Sequence, residues 1–420
     1  MQTYGFESPD FVSEEVYEDF RKSYEVILER RYARWKAVID QGNLVRGYQP
    51  FNLLSLVKRF CRKGVPAQFR SHVWMTLSGA SEMMRQNPKV YQTAAAAQLP
   101  KTIFTTIMAD IPRTFPENVH FSQAEGKGDK LQALQRILVA FAAKFPKIGY
   151  CQGLNYVAAT LLLAMQGVPE VEAEERAFWL LYALSHHIVP NYYSDSMINV
   201  RVDCLVFEEL LKKKAPNIYH TLKKANVDCI VLATKWFICL FADVLPIETV
   251  LRIFDSLFYE GNKILFRACI ALAKLHTREI LYCQQFPDVV LTFRDITQDK
   301  QTLYCHEFLK AMFTLPGSLP RSLIRKLRGK CLEKVKITLN ELEAQERDYR
   351  ERMALQLQQQ QQAQQKDEEQ PTSDSRSEES DDSDDDETDE KLKPTRCVDD
   401  AESSPSLNAP ADHGNGKGNL

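Results

Sequence analysis

Long hydrophobic runs, paired cysteines and a secretory leader are all missing from this sequence. The longest apolar stretch lies within residues 156–168 and is shorter than the roughly 18 residues that a membrane-spanning helix needs. Residues 1–20 are acidic and contain no apolar segment, so we expect no secretory signal. The ten cysteines are scattered singly, a pattern typical of reduced thiols in a cytosolic protein. These absences favour a cytoplasmic protein whose contact with membranes is at most peripheral.

The sequence also lacks the motifs of several common binding sites. It contains no G-x-x-x-x-G-K-[ST] loop, so we expect no nucleotide-binding site of its own. His186 and His187 are adjacent and cannot share a helix face as zinc-binding histidines do, so we predict no metal site. Residues 366–420 hold 6 Lys/Arg and 18 Asp/Glu, which leaves 47 against 38 in the rest of the chain. This mildly basic remainder shows no concentrated patch suited to nucleic acid.

What the sequence does contain is a series of short amphipathic segments. Residues 11–40 place apolar side chains at spacings of three and four, as one helix would. Segments with the same periodicity, broken by Gly and Pro, continue to about residue 320, and alternating strand-like patterns are scarce. We therefore predict an all-α protein. The periodic segments include 68–78, 130–143, 154–165, 174–185, 203–213, 229–242, 247–258, 263–281 and 303–313.

Composition divides the chain into four parts. We predict an N-terminal helical segment over residues 1–44, a main domain over 45–320 and a C-terminal helix over 321–357. Residues 358–420 combine a glutamine run with an acidic stretch and are predicted to be disordered, because they bury little apolar surface and their charges repel. This tail is either merely solubilising or a substrate for acid-directed kinases. Its candidate phosphorylation sites are Ser377, Ser380 and Ser383.

The first candidate functional site is the loop IMADIPRTFPEN (107–118), in which Ile107, Asp110 and Arg113 form the pattern I-x-x-D-x-x-R. Prolines on both sides of the arginine restrict the backbone and predict a stiff loop. An arginine held on such a loop loses little conformational entropy when it meets a ligand. Asp110 then either braces the guanidinium or caps the loop. The alternative for Arg113 is an ordinary surface ion pair.

The second candidate site is YCQGLNYV (150–157), where Gln152 and Gly153 precede an apolar helix. The glycine allows a sharp turn or a close approach of the backbone. We predict that Gln152 lies at the rim of the core, near the helix N-terminus and close to solvent. Its alternative is a capping or core hydrogen bond. Asn155 either holds the loop of Gln152 or caps the helix locally.

A third stretch, RKGVPAQFRSHVWMTLSG (62–79), has the pattern of a helix entry. A glycine and a proline set the turn, and the aromatic and arginine side chains that follow share one side of the helix. We predict a structural role for this motif. Its defining residues are Arg62, Gly64, Pro66, Arg70 and Trp74.

Taken in their order along the chain, 62–79, 107–118 and 150–157, the three stretches resemble the TBC domain of GTPase-activating proteins for Rab-type small GTPases. The shared pattern is R-x-G-[IV]-P-x-x-x-R-x-x-x-W-x-x-L-x-G, then I-x-x-D-x-x-R-T, then Y-x-Q-G-x-N, and the resemblance extends from about residue 60 to 320. It implies an all-helical fold in which Arg113 is an arginine finger and Gln152 a glutamine finger. It also implies that Asp110 and Tyr150 support them, and we assign Ile107, Gly153 and Asn155 to support as well.

The resemblance also implies a partner and excludes a cofactor in this chain. The GTP and Mg²⁺ would belong to a Rab-family small GTPase in its GTP-bound form, which both fingers reach in trans. The protein would then regulate membrane trafficking from the cytoplasm and be recruited to membranes through that GTPase. Two other functions stay open: a catalytically idle module that binds a Rab, and a helical scaffold unrelated to nucleotide. The presence of both Arg113 and Gln152 favours the activator.

Overall fold

The computed structural model describes residues 4–42, 44, 51–194 and 196–368. Every regular element in these ranges is a helix, which confirms the prediction of an all-α fold. The chain divides into two compact units, Met1–Arg350 and Glu351–Leu420. Among the described helices, none is both long enough and apolar enough to cross a membrane.

The first helix, α1 (Glu14–Asp40), is amphipathic, as its periodicity predicts. Its N-terminus is capped by the hydroxyl of Ser13, which accepts a hydrogen bond from the Val16 N–H at 3.4 Å. The indole nitrogen of Trp35 donates to the carbonyl of Gly64 at 2.9 Å, so α1 is fixed to a turn of the main body. The buried face of α1 consists of Phe20, Tyr24, Trp35 and Val38.

The first half of the main body is built around α8 (Leu154–Leu163), which is buried along nearly its whole length and packs against α7 (Leu131–Lys144) and α9 (Glu170–Ala183). A single π-helical turn, Leu184–Ile188, extends α9. The helices of this half are α2 (Phe51–Lys63), α3 (Ala67–Ser78), α4 (Ala80–Gln86), α5 (Val90–Ala95), α6 (Lys101–Asp110), α7 (Leu131–Lys144), α8 (Leu154–Leu163) and α9 (Glu170–Ala183).

The second half continues with α10 (Ile198–Lys214), α11 (Pro216–Lys224), α12 (Cys229–Ile238), α13 (Ile247–Glu260), α14 (Lys263–Leu275), α15 (Thr277–Tyr282), α16 (Phe286–Asp295), α17 (Lys300–Leu303) and α18 (Cys305–Thr314). Two predicted segments differ from these helices. The segment 229–242 stops early as α12, because Leu240 and Phe241 have φ of 49° and 67° and cannot continue a helix. The segment 263–281 is interrupted at His276, where α14 ends and α15 begins.

The motif of residues 62–79 packs on α13 through Asp255, a carboxylate that is fully buried. One oxygen of Asp255 accepts from the Trp74 indole at 2.9 Å and from the Arg70 Nε at 3.3 Å. Its other oxygen accepts from the Val65 N–H at 2.8 Å. Arg70 and Trp74 therefore do lie on the same side of α3, and both use that side to bind α13.

The turn between α2 and α3 has a backbone that requires glycine. Gly64 has φ of +106°, and a Cβ at this position would lie 2.1 Å from the Nε of Arg252. Pro66, with φ of −59°, immediately precedes the first residue of α3. Arg62, in the last turn of α2, binds the buried carboxylate of Glu260 at the end of α13, with Nη2 and Oε2 2.8 Å apart. The motif thus joins α2, α3 and α13.

The last helix, α19 (Arg321–Glu368), continues past residue 357, where the C-terminal helix was predicted to end. The glutamine run of residues 358–365 belongs to this helix, in keeping with the high helix propensity of glutamine. The apolar face of α19 is buried at Leu327 and Val335, whereas Leu342 is 43% exposed. The three candidate serines of the tail lie outside the described residues.

Candidate functional site

The helix α6 ends at Asp110, and the loop that follows presents Arg113 to solvent. Asp110 is fully buried, whereas the side chain of Arg113 is 56% exposed. One oxygen of Asp110 pairs with the Arg113 guanidinium, and the other accepts from the Tyr150 hydroxyl at 2.5 Å. Ile107, one turn earlier, is fully buried and anchors the end of α6. The loop therefore holds a solvent-facing cation on a buried carboxylate.

The electrostatics of this loop keep the arginine charged and the tyrosine neutral. The hydrogen bond to Asp110 and the charge of that carboxylate raise the pKa of Arg113. Burial, together with the hydrogen bond to Asp110, raises the pKa of Tyr150 well above its ordinary value. Tyr150 consequently stays protonated at physiological pH and remains a hydrogen-bond donor to Asp110.

Gln152 lies in the turn before α8, with its side chain exposed. Gly153, at the N-cap of α8, has φ of 104°, and a Cβ there would lie 3.4 Å from the Sγ of Cys239. The distance is an ordinary van der Waals contact, so it is the left-handed backbone at this position that favours glycine. Within the described part of the chain, no residue hydrogen bonds to the Gln152 side-chain amide, which leaves its donor and acceptor available to a ligand.

Asn155, fully buried in the first turn of α8, connects the two loops. Its Oδ1 accepts from the Gly153 N–H at 3.0 Å, and its Nδ2 donates to the Thr114 Oγ1 at 2.8 Å. Gly153 follows Gln152 in the chain, and Thr114 follows Arg113. One buried amide thus holds the residue next to each candidate. The side chain of Asn155 therefore joins the turn before α8 to the loop after α6.

Two further residues of this network were not predicted to contribute. Thr114 is fully buried, and its hydroxyl donates to the carbonyl of Asp110 at 2.7 Å. The Tyr156 hydroxyl donates to the carbonyl of Arg113 at 3.1 Å, and burial and the charge of Asp243 raise the pKa of Tyr156 to about 12. The threonine follows the arginine directly in the motif, which was an available signal. The sequence contains no such signal for Tyr156, because an aromatic residue on an apolar helix usually belongs to the core.

The arrangement suits an anionic ligand that is brought to it from outside. A guanidinium offers several N–H donors in one plane, which match the oxygens of a phosphate, and the nearby amide can both donate and accept. In the described ranges, His, Cys, Asp and Glu form no cluster of three or more that could hold a metal ion. The site therefore consists of one exposed cation and one exposed amide on two connected loops.

The all-helical fold and the two loops are features of a known protein family. Residues 67–281 match the RabGAP-TBC family, the Rab-GTPase-TBC domain, and the chain belongs to this family. It is a Rab GTPase-activating TBC-domain protein, as the resemblance of its motifs predicted.

Its relatives include the growth hormone-regulated TBC proteins. Human growth hormone-regulated TBC protein 1 is 39% identical over 331 residues, which cover 79% of this chain and 94% of the relative. Growth hormone-regulated TBC protein 1-A of Danio rerio is 38% identical over 335 residues, which cover 80% of this chain and 90% of the relative.

Solved structures show the same fold. The Chlamydomonas flagellar RabGAP TBC domain is 31% identical and superposes with a TM-score of 0.61, covering 74% of this chain and 97% of that domain. The Ypt/Rab-GAP domain of Gyp1p is 17% identical, with a TM-score of 0.53 and coverage of 74% and 99%. At that identity the second comparison supports the fold alone.

Proposed function

We propose that this protein accelerates GTP hydrolysis on a Rab-family GTPase by placing Arg113 and Gln152 in the nucleotide site of its partner. The observation that carries the proposal is the pair of hydrogen bonds made by Asn155. They fix the chain next to both residues, while the two side chains themselves are exposed. Two groups that must act together on one external ligand need this combination of fixed backbone and free side chain.

Arg113 would supply positive charge to the transferring phosphoryl group. Hydrolysis of GTP passes through a loose transition state with negative charge spread over the phosphoryl oxygens, so catalysis depends on positioning and electrostatic stabilisation. A guanidinium provides a permanent charge with several donors in a fixed plane. An arginine finger raises the rate by about 10³–10⁵, which corresponds to roughly 4–7 kcal/mol of transition-state stabilisation.

Gln152 would orient the attacking water. Its amide oxygen accepts a hydrogen bond from the water and its NH₂ group donates to a phosphoryl oxygen, so no strong base is required. GTP and Mg²⁺ belong to the GTPase in this mechanism, and this chain contributes only protein groups. Asn155 supports the arrangement by keeping the glutamine turn against the arginine loop.

Asp110 and Tyr150 would prepare the arginine before the partner binds. The ion pair with Asp110 restricts the rotamers of Arg113, which reduces the entropy lost when the guanidinium meets the phosphate. Tyr150 holds the carboxylate from its other oxygen. Because a guanidinium has five N–H donors, Arg113 can keep its bond to Asp110 and still present others to the phosphoryl oxygens.

We further infer that the protein acts in the cytoplasm and reaches membranes through its GTPase, and so regulates membrane trafficking. The support is its membership in a family defined by Rab GTPase activation. A panel of Rab proteins identifies the partner, because partner choice depends on surface complementarity between the two proteins.

A single-turnover GTPase assay over that panel tests the proposal. Wild-type protein should accelerate phosphate release from at least one GTP-loaded Rab. Arg113→Ala and Gln152→Ala should each reduce the acceleration at least tenfold, because each removes a group that acts in the transition state. The melting temperature should stay near that of wild type, since both side chains are exposed.

Two variants on α4 are matched controls. Arg85 is exposed and pairs with Glu82, and the exposed Gln86 also bonds to Glu82. Arg85→Ala and Gln86→Ala should therefore keep full activation. Full activity of Gln152→Ala would contradict the two-finger mechanism. Rab binding without acceleration would identify an idle binding module, and a lack of both would identify a helical scaffold.

A further inference from the structure

We infer that residues 4–6, which precede α1, are positioning residues for Arg113; the inference rests on the proposed role of that arginine. These residues lie outside the range 67–281 that matches the family. Their contacts converge on the loop of residues 113–121, which begins with Arg113. The segment thus supports the far end of the loop, whereas Asp110 and Asn155 support its beginning.

The first contact is made through the backbone of the segment. The carbonyl of Tyr4 accepts from the Asn118 Nδ2 at 2.8 Å, and the carbonyl of Gly5 accepts from the Val119 N–H at 2.9 Å. Asn118 is fully buried, and its Oδ1 accepts from the His120 N–H at 2.9 Å. The segment therefore satisfies polar groups of a loop that has no helix or strand to pair with.

Tyr4 also attaches the segment to the core. Its side chain is buried, and its hydroxyl accepts a hydrogen bond from the guanidinium of Arg70. Arg70 is itself held by Glu248, with Nη2 and Oε1 2.9 Å apart, and by the carboxylate of Asp255. Because Arg70 has little freedom to move, residues 4–6 are held in a fixed position where they contact the loop.

Gly5 allows the segment to approach the loop this closely. Its φ is +80°, and a Cβ at this position would lie 2.7 Å from the His120 Cδ2 and 2.8 Å from the Val119 Cγ2. Any other residue would have to adopt this left-handed backbone and displace the side chains of His120 and Val119. The separation between segment and loop is thus set by the absence of a side chain at position 5.

Phe6 completes the contact by packing on Phe115, two residues after Arg113. The two rings meet edge to face, with centroids 5.1 Å apart and planes at 78°. Phe115 packs in the same way on Tyr156, at 5.3 Å, and the hydroxyl of Tyr156 bonds to the carbonyl of Arg113. Phe6 therefore reaches the Arg113 backbone through two aromatic rings.

Phe115 needs this support because of its own backbone. Its φ is +49°, in the left-handed region that a bulky side chain rarely adopts. Such a conformation persists only where the surrounding contacts hold it, and here the rings of Phe6, Phe121 and Tyr156 surround Phe115. Removal of Phe6 should let the backbone after Arg113 relax and displace the guanidinium.

Kinetics of Phe6→Ala in the full-length chain test the inference, with a Rab that responds to wild type as the substrate. The maximal rate of GTP hydrolysis should fall at least fivefold while the KM for the GTP-loaded Rab changes less than twofold, because the variant displaces a catalytic group and leaves the binding surface intact. Phe6→Leu, which also serves if Phe6→Ala does not fold, should give an intermediate rate. Hydrogen exchange at the Val119 amide should become faster in both variants.

Phe313→Ala is the matched control. Phe313, on α18, is also half-buried, but its ring packs against the Arg62 guanidinium. This variant should leave the maximal rate unchanged. A wild-type rate in both Phe6 variants, an equal loss in Phe313→Ala, or a change confined to KM would overturn the inference. If wild type accelerates no Rab, the proposed function fails instead, and exchange at Val119 still decides whether residues 4–6 hold the loop.

Discussion

At the scale of single residues, the site depends most on Asn155, whose amide bonds to a different loop at each end. A buried polar group that loses its partner costs about 1–3 kcal/mol. Removal of this amide leaves the Gly153 N–H and the Thr114 hydroxyl each with one hydrogen bond fewer. The same removal separates the glutamine turn from the arginine loop, so activity should fall together with stability.

We predict that Asn155→Ala lowers activation of the responding Rab at least tenfold and lowers the free energy of unfolding by about 1–3 kcal/mol. The activity falls because the two proposed fingers no longer share a fixed geometry. Single-turnover hydrolysis and urea unfolding measure the two effects on the same preparation.

Thr160→Val is the control for that prediction. Thr160 is also buried in α8, and its hydroxyl has no hydrogen-bond partner in the part of the chain that the structure describes. Replacing this unsatisfied hydroxyl by a methyl group of the same shape should leave activation unchanged and should not lower the free energy of unfolding. A tenfold loss of activity in Thr160→Val as well would show that any change in buried α8 reduces activity. The loss in Asn155→Ala could then not be assigned to the hydrogen bonds of Asn155.

The contacts between residues that are close in the sequence could be predicted from the sequence. Asp110 and Arg113 are three residues apart at a helix end, so the bracing contact was one of two alternatives that the spacing predicted. The bond from Asn155 to Thr114 could not be predicted from the sequence, because it spans 41 residues of chain and depends on how the loop after α6 packs on α8. The packing of residues 4–6 on the loop was missed for the same reason, since so short a segment has no periodicity.

At the scale of helices, Glu260 at the end of α13 joins three elements. Its carboxylate binds Arg62 of α2 at 2.8 Å and Lys263 of α14 at 2.6 Å, and Lys58 of α2 lies 3.8 Å away. Burial alone would raise the pKa of Glu260. The cations outweigh that effect and lower the pKa to about 2.

This carboxylate should make stability depend on pH in the acid range. The pKa of Glu260 is lower in the folded protein than in the unfolded chain, so its contribution is fully present above about pH 4.5 and is lost as the pH falls toward 2. We predict that Glu260→Gln is less stable than wild type by roughly 1–3 kcal/mol at pH 6 and that the difference narrows by pH 3. Denaturant unfolding at several pH values measures it.

Glu333→Gln is the matched variant for the acid titration. Glu333 is 69% exposed on α19 and, among the residues that the structure describes, pairs only with Lys336 at 3.3 Å, so its loss should leave the pH dependence as in wild type. A difference between wild type and Glu260→Gln that stays constant from pH 6 to pH 3 would contradict the assignment to Glu260.

The sequence predicted helices best where one face is strongly periodic. The segments 130–143 and 247–258 lie within two residues of α7 and α13 at both ends. The early end of α12 was not predictable, because the residues after it are apolar and continue the pattern. Only their left-handed backbone, which tertiary packing imposes, ends the helix.

At the scale of the whole molecule, the described site residues all belong to the unit Met1–Arg350. We predict that removal of residues 366–420 leaves the activation rate within twofold of wild type, because the loops, their supporting helices and residues 4–6 are all retained. Single-turnover hydrolysis with the responding Rab measures this. A change above fivefold would show that the acidic tail takes part in catalysis or in partner binding.

The acidic tail leads to a separate prediction, which concerns phosphorylation. Ser377, Ser380 and Ser383 precede acidic residues, and we predict that they are phosphorylated in cells. Intact-mass analysis of protein isolated from cells detects the modification. If no phosphate were found on residues 367–390, the prediction would be wrong and the tail would be merely solubilising.

The carboxylate of Asp110, which pairs with Arg113, also affects which anions bind the protein when no GTPase is present. Inorganic phosphate and unbound nucleotides are abundant in cells, and an isolated surface guanidinium attracts them without discrimination. Arg113 already shares its charge with Asp110, so a diffusing anion gains little from it. A GTPase brings its phosphoryl oxygens to the remaining donors through an interface of its own, and selectivity among anions then follows from the protein that carries them.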